Sequence, residues 1–304
     1  MSEQYNRELL RKPRLDMRDY VLILNVFIRR SMRQWSFYKT SFIFNIIGII
    51  TGILSYYYVK MMLNPSEIVS DLAPYGGDFM AFLIIGIAFQ HYIDIALHGY
   101  YEGLASAYWS STLEQYLVTP LNPLFFCVAQ IIWGLILHGI NVLLYLVFGI
   151  ALFGINIFLS NVLSVILVLC ISIISVSGLG LLSASTFMLV NAKGWEDPVR
   201  WAVTTFGGLV IGTYYSPQIL PVPLQALGAM LPQTYALDAL RRLLILGTTS
   251  EKVLLVHFLV PLDPVTCDVI ILAILSAVYV PLGYYVLKKG LRYAQRIGNL
   301  SRWV

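Results

Sequence analysis

Glu102-Gly-Leu-Ala-Ser-Ala-Tyr-Trp-Ser-Ser-Thr-Leu-Glu-Gln-Tyr-Leu-Val-Thr-Pro-Leu-Asn-Pro123 separates two long apolar runs. Leu104, Ala107, Tyr108, Leu113, Tyr116 and Leu117 recur at roughly helical spacing and predict a short helix with one apolar side. Pro120 and Pro123 end it and restart the chain. Most segments between membrane spans are tight turns, and this one is long enough to hold a helix of its own. It is either a helix lying on the bilayer or a docking element for a soluble partner, and its own residues leave both open.

The surrounding composition makes the chain a polytopic membrane protein. Of 304 residues, 58% are hydrophobic and 12% charged, and the mean hydropathy is +0.75. A soluble domain carries about 25% charged residues. Six segments are long and apolar enough to span, at about 20 residues each. They lie near 41–61, 79–99, 124–153, 161–190, 199–216 and 269–287, within one membrane domain covering 1–304. The third and fourth exceed the minimum and predict tilt or projection from the membrane. The fifth is short.

Charge sets the expected orientation. Residues 1–39 hold nine of the twenty Lys and Arg residues. Within them Asp16 to Trp35 is amphipathic, with Tyr20, Ile23, Leu24, Phe27 and Ile28 on one face, which predicts a helix in the membrane interface. The tail after the last span carries Lys288, Lys289, Arg292, Arg296 and Arg302. Both ends are therefore expected in the cytoplasm, which requires an even number of spans. The loop at 62–78 has Glu67, Asp71 and Asp78 but no Lys or Arg, as an outside loop should. Residues 102–123 contain no Lys or Arg either, so parity, not charge, places them in the cytoplasm.

Residues 217–268 fit no simple span. Ile219 to Leu246 is apolar but contains three prolines, Asp238, Arg241 and Arg242. A central charge facing lipid costs about 2.5–3.5 kcal/mol. The expectation is a pair of short helices that dip into the outer half of the membrane and return. Pro232 would open the second, and Asp238 and the arginines would face water. Broken backbone at that depth must be buried in protein or line a cavity.

Several chemistries are excluded by motif. No G-x-x-x-x-G-K-[ST] phosphate loop, G-x-S-x-G or H-E-x-x-H occurs. No basic patch is interleaved with aromatics in a soluble domain, so nucleic-acid binding is not expected. Cys127, Cys170 and Cys267 are far apart and predict neither metal site nor disulfide; Cys127 and Cys170 read as packing residues. His91, Asp94 and His98 share one face of the second span by their spacing. Three readings compete for them: a polar seam between helices, a substrate or proton path, and a metal site completed by His138. Gly48 and Gly52 form a small-x-x-x-small pair suited to close helix approach.

Three blocks resemble the permease subunits of type-2 ABC exporters, a group of drug, lipid and polysaccharide exporters. Thr112-Leu113-Glu114-Gln115-Tyr116-Leu117-Val118-Thr119-Pro120-Leu121 is similar to the family's T-L-E-Q-L-x-x-T-P-L. Gly178-Leu179-Gly180-Leu181-Leu182, followed by the turn Lys193 to Pro198, forms the second. Leu231-Pro232-Gln233-Thr234-Tyr235-Ala236-Leu237-Asp238-Ala239-Leu240-Arg241 resembles N-P-x-T-Y-x-x-D-x-x-R, departing at Leu231 and Gln233. The resemblance implies an all-α fold: an N-terminal interfacial helix, six spans, a cytoplasmic coupling helix and a re-entrant hairpin before the last span.

It also implies a non-catalytic subunit in a prokaryotic plasma membrane, exporting an amphiphilic drug-like or lipid-like substrate. A polysaccharide or glycolipid is the alternative cargo. Two permease copies, expected as a homodimer, would each dock a cytoplasmic ATPase subunit that binds ATP and Mg; this chain itself would hold no cofactor. Gly103 to Gln115 would be the coupling helix. Glu102 and Glu114 would meet basic groups on the ATPase, and Leu104, Tyr108, Trp109 and Leu113 would supply its apolar contact. Pro232, Thr234, Tyr235, Asp238 and Arg241 would form the re-entrant motif. Cargo would leave near the first, second and fifth spans. A self-contained ion-coupled transporter using His91, Asp94 and His98, and a membrane-embedded enzyme with a site in 217–268, are the competing classes.

Overall fold

A computed structural model describes residues 16–37, 39–62, 71–189, 197–246 and 251–297. Among these the chain is all helix and turn. The helices are α1 (Met17–Phe37), α2 (Lys39–Met62), α3 (Phe79–Trp109), α4 (Leu113–Val118), α5 (Pro123–Phe153) and α6 (Val162–Leu189). They continue with α7 (Pro198–Val210), α8 (Val222–Gly228), α9 (Pro232–Arg241), α10 (Leu255–Leu259) and α11 (Pro264–Ile297). A π-helical turn, Arg242–Leu246, extends α9. Five helices (α2, α3, α5, α6 and α11) are long and apolar enough to cross a membrane.

Local chemistry sets the helix ends. Asp78 caps α3 by accepting from the backbone N–H of Met80 at 3.0 Å. Asn122 caps α5 by accepting from Leu124 N at 3.0 Å, with Pro123 at the first helical position. Gly154, at φ 63°, closes α5 in the left-handed conformation that a side chain disfavours.

α3 is the hub. Of its most apolar window 72% is buried, against 11% for α2 and α5. One core cluster surrounds its first half (Met80 to Leu97) and includes Leu237, Leu240 and Leu272. A second surrounds its last turns (Tyr100 to Tyr108) and joins Phe27, Leu113, Phe126, Leu287 and Leu291. Thus α1, α4, the start of α5 and the end of α11 meet at one end of the bundle. The Gly178–Leu182 block makes the crossing of α3, α6 and α11 possible. A Cβ at Gly178 would strike the Tyr279 backbone, and one at Gly180 would strike the Ala96 carbonyl.

Four expectations change. The second membrane helix does not stop near 99 but runs unbroken to Trp109. The predicted span 199–216 is helical only over Pro198–Val210, 13 residues or about 20 Å. Gly212, at φ 82°, turns the chain there, so α7 alone falls short of the roughly 30 Å hydrocarbon core. The α1 face expected to lie in lipid instead packs on α5: Tyr20 meets Phe125 edge-on at 4.7 Å and Phe27 meets Phe126 at 6.0 Å. Val21, Leu22 and Val26 remain exposed on the other side. Cys170, expected in packing, is exposed, whereas Cys127 is buried. The outer-loop Glu67 and most of the turn Lys193 to Pro198 lie outside the described residues.

Candidate functional site

The Glu102–Pro123 stretch divides into three parts. Residues through Trp109 finish α3. Ser110 and Ser111 then break the helix, and Ser111, at φ 55°, is the one non-glycine residue with positive φ among the described residues. Left-handed backbone there costs a non-glycine residue about 1–2 kcal/mol. Local bonds hold it: Thr112 N donates to Ala107 O at 2.9 Å, and Ser110 Oγ donates to Ser106 O at 2.7 Å. The chain then resumes as α4.

The side chains sort by this geometry. Leu104, Tyr108 and Leu113 are 2%, 5% and 1% exposed, packed within the chain's own second core. The expectation that they contact a partner is therefore corrected: a helix that is the end of a buried span cannot turn those side chains outward. Trp109 is 41% exposed, and Glu114, Gln115 and Val118 are exposed beside it. Glu102 is exposed but faces Arg200 at the start of α7, 3.8 Å away. An exposed pair of that kind contributes little stability. Gly103 lies against Gln130 of α5, where a Cβ would come within 2.9 Å. Arg30 of α1 donates to Tyr116 Oη at 3.2 Å, so α1 braces α4.

The second polar centre lies at the opposite end. Asp238 and Arg241, expected to face water, are 2% and 1% exposed, and Arg242 is fully buried. All three point into the bundle because α9 packs between α3, α6 and α11. Arg242 Nε donates to Asp238 Oδ2 at 2.7 Å and its Nη1 donates to Glu251 O at 2.7 Å. Tyr75 Oη donates to Asp238 Oδ1. Arg241 donates to the carbonyls of Phe82 (3.2 Å), Gly212 (2.8 Å) and Thr213 (2.7 Å) and lies 3.5 Å over the Phe82 ring. Burial pushes the Asp238 carboxyl upward, but bonded Arg242 and nearby His257 outweigh it and hold the group below its usual range.

His257 and Asp268 complete this network. The Leu254 N–H points to His257 Nδ1 at 3.4 Å, which leaves the proton on Nε2 to donate to Asp268 Oδ1 at 2.8 Å. Asp238, His257 and Asp268 bring three ligand atoms within 4.8 Å of one another. Arg242 already pairs with Asp238, and Asp268 Oδ1 accepts from His257, so the cluster reads as a structural polar network; Asp268 Oδ2 has no hydrogen-bond partner among the described residues. Tyr75, His257 and Asp268 escaped sequence reading. The available signal was a charge on the first turns of a long apolar helix, which needs a buried partner.

The remaining pieces stay separate. His91 is exposed, its Nδ1 bonded to Ile87 O at 2.8 Å along its own helix. Asp94 accepts from Gln90 Nε2 at 2.8 Å. His138 Nδ1 has no hydrogen-bond partner among the described residues. His91, Asp94, His98 and His138 do not assemble a metal-ligand cluster among the described residues. Pro232 opens α9, Thr234 Oγ1 donates to Gly228 O at 2.8 Å, and Tyr235 Oη donates to Ala229 O at 2.9 Å. These two bonds fold α9 back on the turn that precedes it. No family model matches the chain, and no curated protein matches it. The resemblance to exporter permeases therefore rests on the motifs themselves.

Proposed function

We propose that the chain is the membrane subunit of an ATP-driven exporter, built like the type-2 ABC permeases and moving an amphiphilic drug-like or lipid-like molecule out of the cytoplasm or inner leaflet. The observation that carries this reading is the shape of Ser110–Val118. A strained two-serine break sets a short helix, bearing T-L-E-Q-Y-L-V-T-P-L, across the end of the most buried span. Its inner face is locked to α3, α5 and α11 through Leu113, while Trp109, Glu114, Gln115 and Val118 face outward. A push on that surface reaches the hub helix directly. That is what coupling to a separate ATPase, two copies per permease pair, requires.

Orientation supports it. α1 and the end of α11 flank α4 and carry Arg18, Arg29, Arg30, Arg33, Lys288, Lys289, Arg292 and Arg296, a cluster that by the positive-inside rule favours a cytoplasmic reading of this end. We infer six crossings, with α7 completed by the irregular 211–221 segment. The α8–α9 pair re-enters from outside: Tyr279, in the middle of α11, donates to Met230 O at the turn between them, while Asp238 lies level with Asp268 near the outer end of α11. A Cβ added at Gly48 or Gly52 of α2 would meet nothing within 4 Å among the described residues, which leaves this face open to a second copy.

Co-expression with Walker-motif ATPases from the same source tests the reading. One should co-purify with the chain, and Trp109→Ala with Glu114→Lys should release the ATPase without altering the permease's thermal midpoint. Transport by the isolated chain in liposomes without ATPase or nucleotide would sink it.

A further inference from the structure

Lys288 and Arg292 stand one helical turn apart on α11 and line one cleft of about 180 Å³. Tyr284 and Leu291 continue its wall on α11; Leu117 and Leu124, at the end of α4 and the start of α5, form the other. Both cations are exposed, and neither makes an ion pair with any described residue. Among the described residues no carboxylate lines the cleft. The neighbouring basic residues differ: the Lys289 ammonium rests 4.8 Å over the Tyr285 ring, and Arg296 lies outside the lining. The positive end of the 31-residue helix α5 opens onto the same space and adds to its potential.

An apolar wall under a cationic, acid-free rim suits an anion that carries an apolar body. α5 and α11, which contribute to the two walls, are long and apolar enough to cross a membrane, so the abundant ligand of that kind is a phospholipid. We propose that this cleft holds the phosphate of an acidic phospholipid between Lys288 and Arg292, with its acyl chains laid along the membrane faces of α5 and α11. Two adjacent cations repel the choline of a zwitterionic lipid and favour an acidic headgroup. The site requires only that the chain is membrane-embedded, and stands whether or not it is a permease.

Native mass spectrometry of the purified full chain in detergent, titrated with phosphatidylglycerol, phosphatidylcholine or inorganic phosphate, tests it. Phosphatidylglycerol should bind best. K288Q/R292Q should weaken it by about thirtyfold, from the contribution of each cation near the surface. K289Q/R296Q, which removes the same charge outside the cleft, should weaken lipid binding clearly less than K288Q/R292Q does, because neither residue lines the cleft. Leu124→Trp, which fills the cleft without touching charge, should also lose the lipid. Unchanged lipid affinity in K288Q/R292Q or in Leu124→Trp would overturn the site. So would phosphatidylcholine binding as tightly as phosphatidylglycerol, or inorganic phosphate binding as tightly as the lipid.

Discussion

Asp238→Ala probes the buried network where its connections converge. Asp238 holds Arg242 at 2.7 Å, accepts from Tyr75 and lies 3.9 Å from His257. Removing one member of a buried ion pair costs about 3–5 kcal/mol, because the surviving charge stays desolvated. Arg242 would keep the Glu251 carbonyl at 2.7 Å and the Tyr75 ring at 5.4 Å. Those contacts place the loss near the lower figure, about 3 kcal/mol. At about 2 °C per kcal/mol, the thermal midpoint in detergent should fall by about 6 °C. Asp71→Ala at an exposed position should move it by under about 1 °C, since surface changes stay within about 0.5 kcal/mol. The decisive arm is the double variant Asp238→Ala with Arg242→Met. It removes the stranded charge and should recover at least about 1 kcal/mol relative to the sum of the single losses. Strict additivity, or a single-variant loss under about 1 kcal/mol, would refute the claim that Asp238 exists to neutralise Arg242.

Three further outcomes follow from particular contacts. Gly86→Ala would drive a Cβ into the Arg241 guanidinium and within 2.7 Å of the Thr213 carbonyl, so it should cost about 2–3 kcal/mol; Gly48→Ala, with nothing within 4 Å, should cost none, read from thermal midpoints of the two variants. Leu113→Ala should lose about 2–5 kcal/mol of stability because the side chain is 1% exposed, whereas Trp109→Ala, at a side chain 41% exposed, should lose clearly less. Burial pushes the His257 imidazole below its usual value against the pull of Asp238, with Arg242 and Lys252 also lowering it and Asp263 raising it. The unfolded chain therefore binds a proton that the folded chain refuses. Stability should be full above about pH 6.5 and decline as pH falls below it, and His257→Gln should flatten that slope in a midpoint-versus-pH series.

Composition and periodicity alone pointed to an all-helical membrane protein, and the apolar runs placed most ends of the long helices within a few residues, although α3 runs on to Trp109 and α11 to Ile297, past the expected ends near 99 and 287. Those signals are local: about 20 apolar residues in succession must leave water whatever surrounds them, and Asp78, Asn122 and Pro123 act on backbone groups one turn away. The Glu102–Pro123 stretch was legible as a short helix with one apolar side; that its first part finishes α3 and a break at Ser110–Ser111 precedes α4 was not. Which of its apolar residues face inward was not. Leu104, Tyr108 and Leu113 have the spacing of an exposed anchor and of a core alike, and only the positions of Phe126 and Leu291 decide between them. The sequence likewise pointed Asp238, Arg241 and Arg242 toward water, because a charge without a visible partner belongs there. Their partners lie far along the chain, in Tyr75, His257 and Asp268 and in the carbonyls of Phe82, Gly212 and Thr213. A buried charge is tolerated only when such groups converge on it, and convergence across such sequence separations is a property of the packed bundle alone.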